Sequence, residues 1–215
     1  MSDSHLNIEE YILNHSDKED PILAELYRET HVKILNPRML SGHLQGKVLE
    51  MISKMINPEK ILEIGTYTGY SAICLAKGLK DTGILHTIEI NDELEDLISK
   101  YLHKSGLENK VKLHFGDARK IIPEINEQFD LVFIDADKRE YLEYYNIILE
   151  YIKPGGFILA DNVLWSGKVI EQESPEDLHT KGIIEFNEFI KNDNRIEKVI
   201  LPLRDGLTLI RKKNT

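Results

Sequence analysis

Short apolar runs alternate with longer amphipathic segments along most of this chain. From residue 60 onward the runs are rich in branched and aromatic side chains, and the segments between them repeat apolar positions with the period of a helix. Such runs are typical of strands that are buried on both faces of a parallel sheet. The predicted strands are residues 61–64, 85–90, 111–115, 129–134 and 156–160, and the predicted helices between them are residues 70–79, 92–104, 118–125 and 139–151.

The C-terminal part of the chain follows a different pattern. A predicted helix over residues 181–190 is followed by two predicted strands, 196–201 and 207–211, which a short connection with Asp205-Gly206 joins as a hairpin. Strands that alternate with helices form a parallel sheet with helices on both faces. We therefore predict an α/β fold with a doubly wound, mostly parallel seven-stranded sheet that ends with an antiparallel C-terminal strand.

The residues before the first predicted strand have a helical pattern. Apolar positions recur with a helical period around residues 8–13 and 22–35, and Pro37 ends the second segment because proline disfavours a helix at the preceding residue. No linker rich in proline, glycine or serine divides the chain, so we interpret residues 1–215 as one domain with an N-terminal helical extension over residues 1–40. A third predicted helix carries one apolar stripe, which consists of Leu44, Val48, Leu49, Ile52, Met55 and Ile56.

Composition and charge disfavour several classes of partner. With 41% hydrophobic and 30% charged residues, the 215-residue chain has the composition of a globular protein with one sizeable core. A net charge of −10 and an isoelectric point near 5.3 disfavour nucleic-acid binding. The N-terminus lacks a basic stretch followed by an apolar core, and no apolar run approaches the roughly 18 residues of a membrane span, so we expect a cytoplasmic protein without a membrane partner. The single cysteine, Cys74, is predicted to be a core residue.

Polar side chains follow two of the predicted strands at the point where each strand ends. Asp135 and Lys138 follow the fourth strand, and Asp161 and Asn162 follow the fifth. If these strands are neighbours in a parallel sheet, their carboxyl ends bring the side chains together where such sheets bind ligands. Two carboxylates and an amide suit Mg²⁺, Ca²⁺ or Mn²⁺ rather than zinc. The alternative is that Asp135 and Asp161 only cap the following helices, but Lys138 and Trp165 nearby favour the metal site.

The connection after the first predicted strand contains two glycines. Gly65 and Gly69 allow a tight backbone turn and the close approach of a ligand. Their spacing does not match the G-x-G-x-x-G sequence of dinucleotide-binding loops. A mononucleoside-like ligand is therefore favoured over a dinucleotide.

Acidic residues lie at or just after the ends of the first three predicted strands. Glu63 ends the first strand and is placed to meet a cationic amine, and Glu89 lies near the end of the second, where it can accept hydrogen bonds from both hydroxyls of a ribose. Gly116-Asp117-Ala118 follows the third strand and would face an adenine ring. Each acid, taken alone, is equally consistent with a helix cap. Their succession indicates S-adenosylmethionine (SAM) as the ligand.

Four sequence motifs resemble those of one enzyme family. They are Glu63-Ile64-Gly65 with Tyr67-Thr68-Gly69-Tyr70-Ser71, Asp135-Ala136-Asp137-Lys138, Asp161-Asn162 with Leu164-Trp165, and Asp205-Gly206. From about Met39 to the C-terminus, the chain resembles the class I SAM-dependent O-methyltransferases, and among them the cation-dependent caffeoyl-CoA and catechol type. It departs from the plant members at residues 41–45, where Ser-Gly-His-Leu-Gln replaces a stretch of the Thr-Ser-Ala-Asp-Glu type, and at residues 165–167.

The resemblance implies a Rossmann-like methyltransferase fold and assigns roles to individual residues. The metal ligands would be Asp135, Asp161 and Asn162, and the catalytic lysine would be Lys138. Members of this family are usually homodimers whose N-terminal segment borders the substrate site, so a homodimer is expected here. The implied cofactor contacts are Met39, Ser41, Glu63, Gly65, Thr66, Ser71, Glu89, Ala118, Asp135 and Asp137.

The expected reaction is methyl transfer from SAM to a hydroxyl group of a small phenolic molecule. Two vicinal oxygens of a catechol-like or caffeoyl-type acceptor would chelate the divalent cation, and Lys138 would stabilise the phenolate or take its proton. Trp165 offers an apolar wall for the acceptor ring, and the acidic segment 168–180 is a candidate lid. The alternatives are a methyltransferase with a nitrogen or macromolecular acceptor, which the oxygen-rich metal site disfavours, and a non-catalytic scaffold that binds the cofactor.

Overall fold

A seven-stranded sheet organises the part of the chain that the computed structural model describes, which is residues 8–171 and 177–214. The strands are β1 (Lys60–Ile64), β2 (Ile84–Glu89), β3 (Val111–Phe115), β4 (Phe129–Ile134), β5 (Ile152–Asp161), β6 (Ile196–Leu201) and β7 (Leu207–Lys212). They lie in the order β3-β2-β1-β4-β5-β7-β6. Strands β1 to β5 are parallel, and β7 runs antiparallel to both of its neighbours. The predicted doubly wound α/β fold is confirmed.

Helices cover both faces of this sheet. The α-helices of the described residues are α1 (Ile8–Asn14), α2 (Pro21–Lys33), α3 (Gly42–Ile56), α4 (Tyr70–Ala76), α5 (Glu95–Lys104), α6 (Ala118–Ile125), α7 (Tyr141–Tyr151) and α8 (Leu178–Asn192). Short 3₁₀ turns occur at Pro37–Met39, Asp92–Leu94, Lys138–Glu140 and Trp165–Ile170. None of these helices is both long enough and apolar enough to cross a membrane.

The antiparallel C-terminal strand lies inside the sheet rather than at its end. Strand β7 inserts between β5 and β6, which leaves β6 as the edge strand. Leu207, Thr208 and Ile210 of β7 are buried, whereas the middle of β6, including Glu197 and Lys198, is exposed. Each strand carries two charged residues, so composition does not explain which of them takes the inner position. The predicted direction of the strand is confirmed, and its predicted position at the end of the sheet is corrected.

A hydrophobic core lies on each face of the sheet. Because successive residues of a strand point to opposite faces, Ile61 and Phe133 join the core under helices α2 to α5, and Leu62 and Val132 join the core under helices α6 to α8. Cys74 is buried in the first core, as predicted. Burial of the central strands on both faces explains why they appear in the sequence as continuous apolar runs.

Several element boundaries differ from the predicted ones by one to four residues, and for two of them a local contact gives the reason. Strand β5 begins at Ile152 rather than at residue 156, because Ile152 already pairs with Phe129 before an irregularity in the β4–β5 register. Helix α8 begins at Leu178 rather than at residue 181, because the carboxylate of Asp177 caps the helix by accepting a hydrogen bond from the N–H of Thr180 at 3.1 Å. Both differences depend on contacts that the apolar pattern does not show.

Gly65 allows the ends of β1 and β4 to approach each other closely. Its φ of +96° lies in the region that glycine tolerates best, and a Cβ at this position would lie 2.0 Å from the backbone oxygen of Asp135. The N–H of Asp135 donates to the oxygen of Ile64 at 2.9 Å. The glycine turn and the first predicted metal ligand are therefore in direct contact.

One histidine of β2, His86, packs against one histidine of the neighbouring strand β3, His114. The Nδ1 of His86 lies 3.0 Å from the Nε2 of His114, and the two rings stack with their centroids 5.2 Å apart. His86 is only 3% exposed, and its Nε2 lies 3.8 Å from Oε1 of Glu127. Burial lowers the pKa of His86 to about 4, and it also lowers the pKa of His114. The positive charge of Lys112 also lowers the pKa of both histidines.

We expect the substitution His86→Gln to reduce the loss of stability at acidic pH. The unfolded chain takes up a proton at this residue near the ordinary pKa of 6.5, whereas the folded protein does so only near 4. The free energy of unfolding should therefore fall by up to about 3 kcal/mol from this residue as the pH drops through that window. Urea unfolding across the window measures the effect, with His103→Gln at an exposed histidine as the control. An unchanged pH dependence in His86→Gln would contradict the expectation.

Candidate active site

A cavity of about 1080 Å³ opens at the carboxyl ends of the parallel strands, where open α/β sheets bind ligands. Its walls come from the connections that follow β1 to β5, from the turn Pro37–Met39 and from Arg204. The structure brings together at this cavity every predicted site residue except Glu63. The predicted residues that line it are Met39, Ser41, Gly65, Thr66, Ser71, Glu89, Ala118, Asp135, Asp137, Lys138, Asp161, Asn162 and Trp165.

Glu89 holds the glycine-containing loop against the end of β2. Its Oε2 accepts a hydrogen bond from the N–H of Tyr67 at 2.6 Å, and its Oε1 accepts hydrogen bonds from the N–H groups of Ile90 and Asn91, both at 2.9 Å. A carboxylate can accept about four hydrogen bonds. The group is thus fixed at the cavity wall and retains capacity for a hydroxyl donor of a ligand.

Glu63 lies behind the cavity rather than on its surface. The residue is fully buried, and its Oε2 accepts a hydrogen bond from Oγ1 of Thr87 at 2.5 Å. The hydroxyl of Thr87 lies 2.5 Å from that of Thr66, which lines the cavity. Burial raises the pKa of Glu63 to about 8, and the charge of Asp135 acts in the same direction. Two threonines therefore connect Glu63 to the cavity wall, and its contact with the cofactor amine stays a prediction.

Helix capping is carried out by Asp117 and Asp137 rather than by Asp135 and Asp161. Asp117 and Asp137 each accept a hydrogen bond from the N–H two residues later, at 2.9 Å and 3.0 Å. Each carboxylate also binds the arginine side chain of that residue, which holds its pKa below the ordinary value. The capping alternative for Asp135 and Asp161 is therefore wrong, since both side chains make other contacts.

Lys138 is buried at this edge with its ammonium group held by two oxygen atoms. Its Nζ donates to Oδ1 of Asp135 at 2.8 Å and to the hydroxyl of Tyr141 at 2.6 Å. The turn that carries it packs against helix α8, where a Cβ on Gly182 would lie 2.5 Å from the backbone oxygen of Lys138. An ammonium group has three N–H donors. One N–H of Lys138 therefore remains for the oxygen of a ligand.

Asp161 presents one uncommitted carboxylate oxygen to the site. The residue is 2% exposed, and its Oδ2 accepts a hydrogen bond from Nε2 of Gln45 at 2.6 Å. Its Oδ1 has no hydrogen-bond partner among the residues that the structure describes. Burial, together with the charge of Asp135, raises the pKa of Asp161 to about 6. A buried oxygen without a partner is unfavourable, and a hard divalent cation would satisfy it.

The candidate metal ligands are two carboxylates and one amide. Asn162 follows Asp161 in the left-handed region, with a φ of +56°, and lines the same cavity as Asp135. Within residues 8–171 and 177–214, no group of three or more His, Cys, Asp or Glu side chains is arranged to hold a metal ion. An all-oxygen set with few protein ligands fits Mg²⁺, Ca²⁺ or Mn²⁺, which complete their coordination with water or ligand oxygens.

Trp165 and His179 form one wall of the cavity. Their ring centroids lie 6.0 Å apart with 25° between the planes, and Nδ1 of His179 lies 3.6 Å from Oδ1 of Asp137. Arg204 and Tyr144 also line the cavity. Neither a strand end nor a motif marks His179, Tyr144 or Arg204 as a site residue in the sequence. Packing of distant segments brings them to the site.

The predicted lid is described only in part. Glu173 and Glu176 belong to residues 172–176, which lie outside the described residues. On the two sides of that segment, Nζ of Lys168 donates a hydrogen bond to Oδ2 of Asp177 at 2.8 Å. The lid function of residues 168–180 stays a prediction.

The fold and the cavity together define a class of protein. A Rossmann-like methyltransferase has a doubly wound sheet with an inserted antiparallel strand, a glycine turn after β1 and an acid at the end of β2. This chain has all three features. The sequence model of the O-methyltransferase family matches residues 13–213. The chain therefore belongs to the O-methyltransferase family.

Named relatives and solved structures agree with this assignment. The caffeoyl-CoA O-methyltransferase of Petroselinum crispum is 34% identical over 216 aligned positions, which cover 94% of this chain and 89% of that protein. The O-methyltransferase TomG from Streptomyces achromogenes, in complex with SAM, is 29% identical with a TM-score of 0.89 over 96% of each chain. The O-methyltransferase from Bacillus cereus, in complex with SAH, is 30% identical with a TM-score of 0.89 over 96% of this chain and 97% of that chain.

These similarities establish the type of enzyme. The chain is a SAM-dependent O-methyltransferase of the caffeoyl-CoA type family. The methyl donor inferred from the strand-end acids is thereby confirmed. Two of the alternatives that the sequence left open, a nitrogen acceptor and a non-catalytic scaffold, are set aside.

Proposed function

We propose that this enzyme transfers the methyl group of SAM to one hydroxyl of a small molecule with two vicinal hydroxyls, in a reaction that depends on a divalent cation. The observation that carries the proposal is the pair of a half-buried Asp135 and a buried Asp161, with Lys138 bonded to the first and, among the described residues, an unpartnered oxygen on the second. Such a site suits two adjacent acceptor oxygens together with a hard cation. Catechol-like and caffeoyl-type phenols are the proposed acceptors.

Asp135, Asp161 and Asn162 would hold the cation, with Mg²⁺ as the proposed ion and Ca²⁺ or Mn²⁺ as alternatives. A bound divalent cation would polarise the acceptor oxygens and favour loss of the hydroxyl proton. The protein supports this arrangement through Tyr141, whose hydroxyl lies 3.2 Å from the oxygen of Ile134 and 3.0 Å from the backbone oxygen of Asp161. Because one side chain contacts the ends of β4 and β5, the ligands are preorganised.

Lys138 would stabilise the phenolate oxygen that attacks the methyl group. Two of its N–H groups contact Asp135 and Tyr141, so the third is the donor available to the acceptor. A charge-assisted hydrogen bond in a buried site is stronger than the same bond in water. In both observed contacts the lysine nitrogen is the donor, to a carboxylate oxygen and to a hydroxyl oxygen. The observed contacts therefore favour a role as donor over a role as base.

SAM would occupy the side of the cavity that the glycine turn and the ends of β2 and β3 form. Glu89 would accept hydrogen bonds from the ribose hydroxyls, and Ala118 would lie beside the adenine ring. The acceptor would then lie between SAM and the wall of Trp165 and His179. Because the sulfonium methyl is already activated, most of the rate gain would come from holding it in line with the phenolate oxygen.

Catechols are expected to be methylated on the order of 10²-fold faster than monophenols, because a monophenol leaves one of the two oxygen positions of the site unfilled. Transfer from labelled SAM in the presence of Mg²⁺ measures kcat/KM for catechol, caffeic acid, caffeoyl-CoA and phenol. The ratio of kcat/KM for caffeoyl-CoA to that for caffeic acid shows whether the enzyme prefers a coenzyme A ester as acceptor. Equal rates for catechol and phenol would contradict the vicinal-hydroxyl acceptor and leave the SAM-dependent activity in place.

A further inference from the structure

Gln45 is a buried polar residue to which the proposed reaction gives no role. It lies in the first turn of α3, is 1% exposed, and belongs to the stretch 41–45 at which the sequence departs from the plant members. Its Nε2 donates a hydrogen bond to Oδ2 of Asp161 at 2.6 Å, across 116 positions of sequence. This contact ties the start of α3 to a candidate metal ligand at the end of β5.

Arg204 fixes the direction in which the amide of Gln45 faces. Its Nη1 donates to Oε1 of Gln45 at 2.6 Å, and also to the backbone oxygens of Leu40, at 3.2 Å, and Ser41. A guanidinium group only donates hydrogen bonds, and an ionised carboxylate only accepts them. The amide oxygen must therefore face Arg204, and the amide nitrogen must face Asp161.

This network leaves the two carboxylate oxygens of Asp161 in different states. Oδ2 is held by the amide, whereas Oδ1 has no partner among the described residues. We propose that Gln45 is a positioning residue for the cation site, which holds Oδ2 of Asp161 so that Oδ1 is presented to the ion, and that Arg204 keeps the amide in the required orientation. The inference rests on the cation site of the proposed function.

The glutamine of this chain acts differently from the glutamate that ends the plant-type stretch. A glutamate has the same length but no N–H to donate, so it would leave Oδ2 of Asp161 without its donor. It would also add a third carboxylate beside Asp135 and Asp161, and like charges that close repel each other. The neutral amide orients the ligand without changing the charge of the site.

The experiment measures Mn²⁺ binding to the full-length protein by the electron paramagnetic resonance signal of the free ion. Gln45→Met keeps the length of the side chain and removes the donor, so the Kd for Mn²⁺ is expected to rise by roughly 10–100-fold. Ser53→Ala is the matched control, because Ser53 is buried on the same helix and donates to the oxygen of Leu75 at 2.7 Å. Ser53→Ala should bind Mn²⁺ as the wild type does, and both Gln45→Met and Ser53→Ala should bind SAM with unchanged affinity.

Arg204→Met separates positioning from a simple effect of charge. If charge alone mattered, loss of the positive charge of Arg204 would tighten Mn²⁺ binding. If Arg204 orients Gln45, the substitution weakens Mn²⁺ binding instead. Because the residue is exposed, this variant also carries the test if Gln45→Met does not fold.

The possible results distinguish the inference from the proposed function. Mn²⁺ binding that is unchanged or tighter in folded Gln45→Met, or tighter in Arg204→Met, overturns the role of Gln45 and leaves the cation site in place. A wild-type protein that binds no Mn²⁺ overturns the cation site and the inference with it. Weaker binding in both variants, with wild-type binding in Ser53→Ala, supports the inference.

Discussion

Removal of the divalent cation by EDTA is expected to lower methyl transfer to catechol by about 10³-fold, and added Mg²⁺ is expected to restore it. Without a cation, the carboxylates of Asp135 and Asp161 would lie beside the acceptor oxygens in the proposed site and would disfavour the loss of a hydroxyl proton. A factor of 10³ corresponds to about 4 kcal/mol, which is within the several kcal/mol of charge stabilisation that a bound divalent cation supplies. The assay measures transfer of the label from SAM to catechol before dialysis against EDTA, after this dialysis and after addition of Mg²⁺.

SAM binding is the control for this experiment. The carboxylate of Glu89 accepts hydrogen bonds from the backbone N–H groups of Tyr67, Ile90 and Asn91, and none of these contacts involves a candidate metal ligand. Calorimetric titration in EDTA should therefore give the same SAM affinity as titration in Mg²⁺. Transfer that continues at the full rate in EDTA would contradict the cation-dependent mechanism and leave the SAM-dependent reaction intact.

The substitution Lys138→Met is expected to lower kcat by about 10³-fold, because it removes the N–H donor proposed for the phenolate oxygen. Methionine retains the apolar part of the buried side chain and loses the bonds to Asp135 and Tyr141. SAM affinity should change little, since the loop after β1 and the end of β2 are untouched. Single-turnover measurements with saturating catechol, Mg²⁺ and SAM separate the chemical step from binding.

Lys153→Met is a matched control for this variant. Its Nζ donates to Oδ1 of Asp130 at 2.8 Å, the same length as the Lys138–Asp135 bond, but it lies near the start of β5, far along the strand from Asp161. The kcat of Lys153→Met should equal that of the wild type. A kcat for Lys138→Met within a few-fold of the wild type would contradict the catalytic role of Lys138.

Local chemistry made much of the site predictable from the sequence. Strands buried on both faces produce apolar runs, and the polar residues that follow them must lie at one edge of the sheet. This reasoning places Asp135, Asp161 and Asn162 together, and the structure brings all three to one cavity. The turn at Gly65 is equally predictable, because only a residue without a Cβ fits against the backbone of Asp135.

Features that depend on long-range packing were not predictable. The contacts of Gln45 with Asp161 and of Arg204 with Gln45 span more than a hundred residues, and no periodicity or motif encodes them. The burial of Glu63 behind Thr66 has the same origin, since a residue at a strand end can face the cavity or the core. The inner position of β7 was not predictable either, since β6 and β7 each carry two charged residues.

Because Gly182 has no side chain, helix α8 packs directly on the backbone of the turn that carries Lys138. A Cβ at Gly182 would lie 2.5 Å from the oxygen of Lys138 and 2.8 Å from Cα of Arg139, so the helix backbone rests directly on the turn. His179, which stacks on Trp165, belongs to the same helix. The ammonium group and the cavity wall of Trp165 and His179 therefore rest on two backbone segments in direct contact, so we expect a shift of α8 to displace both.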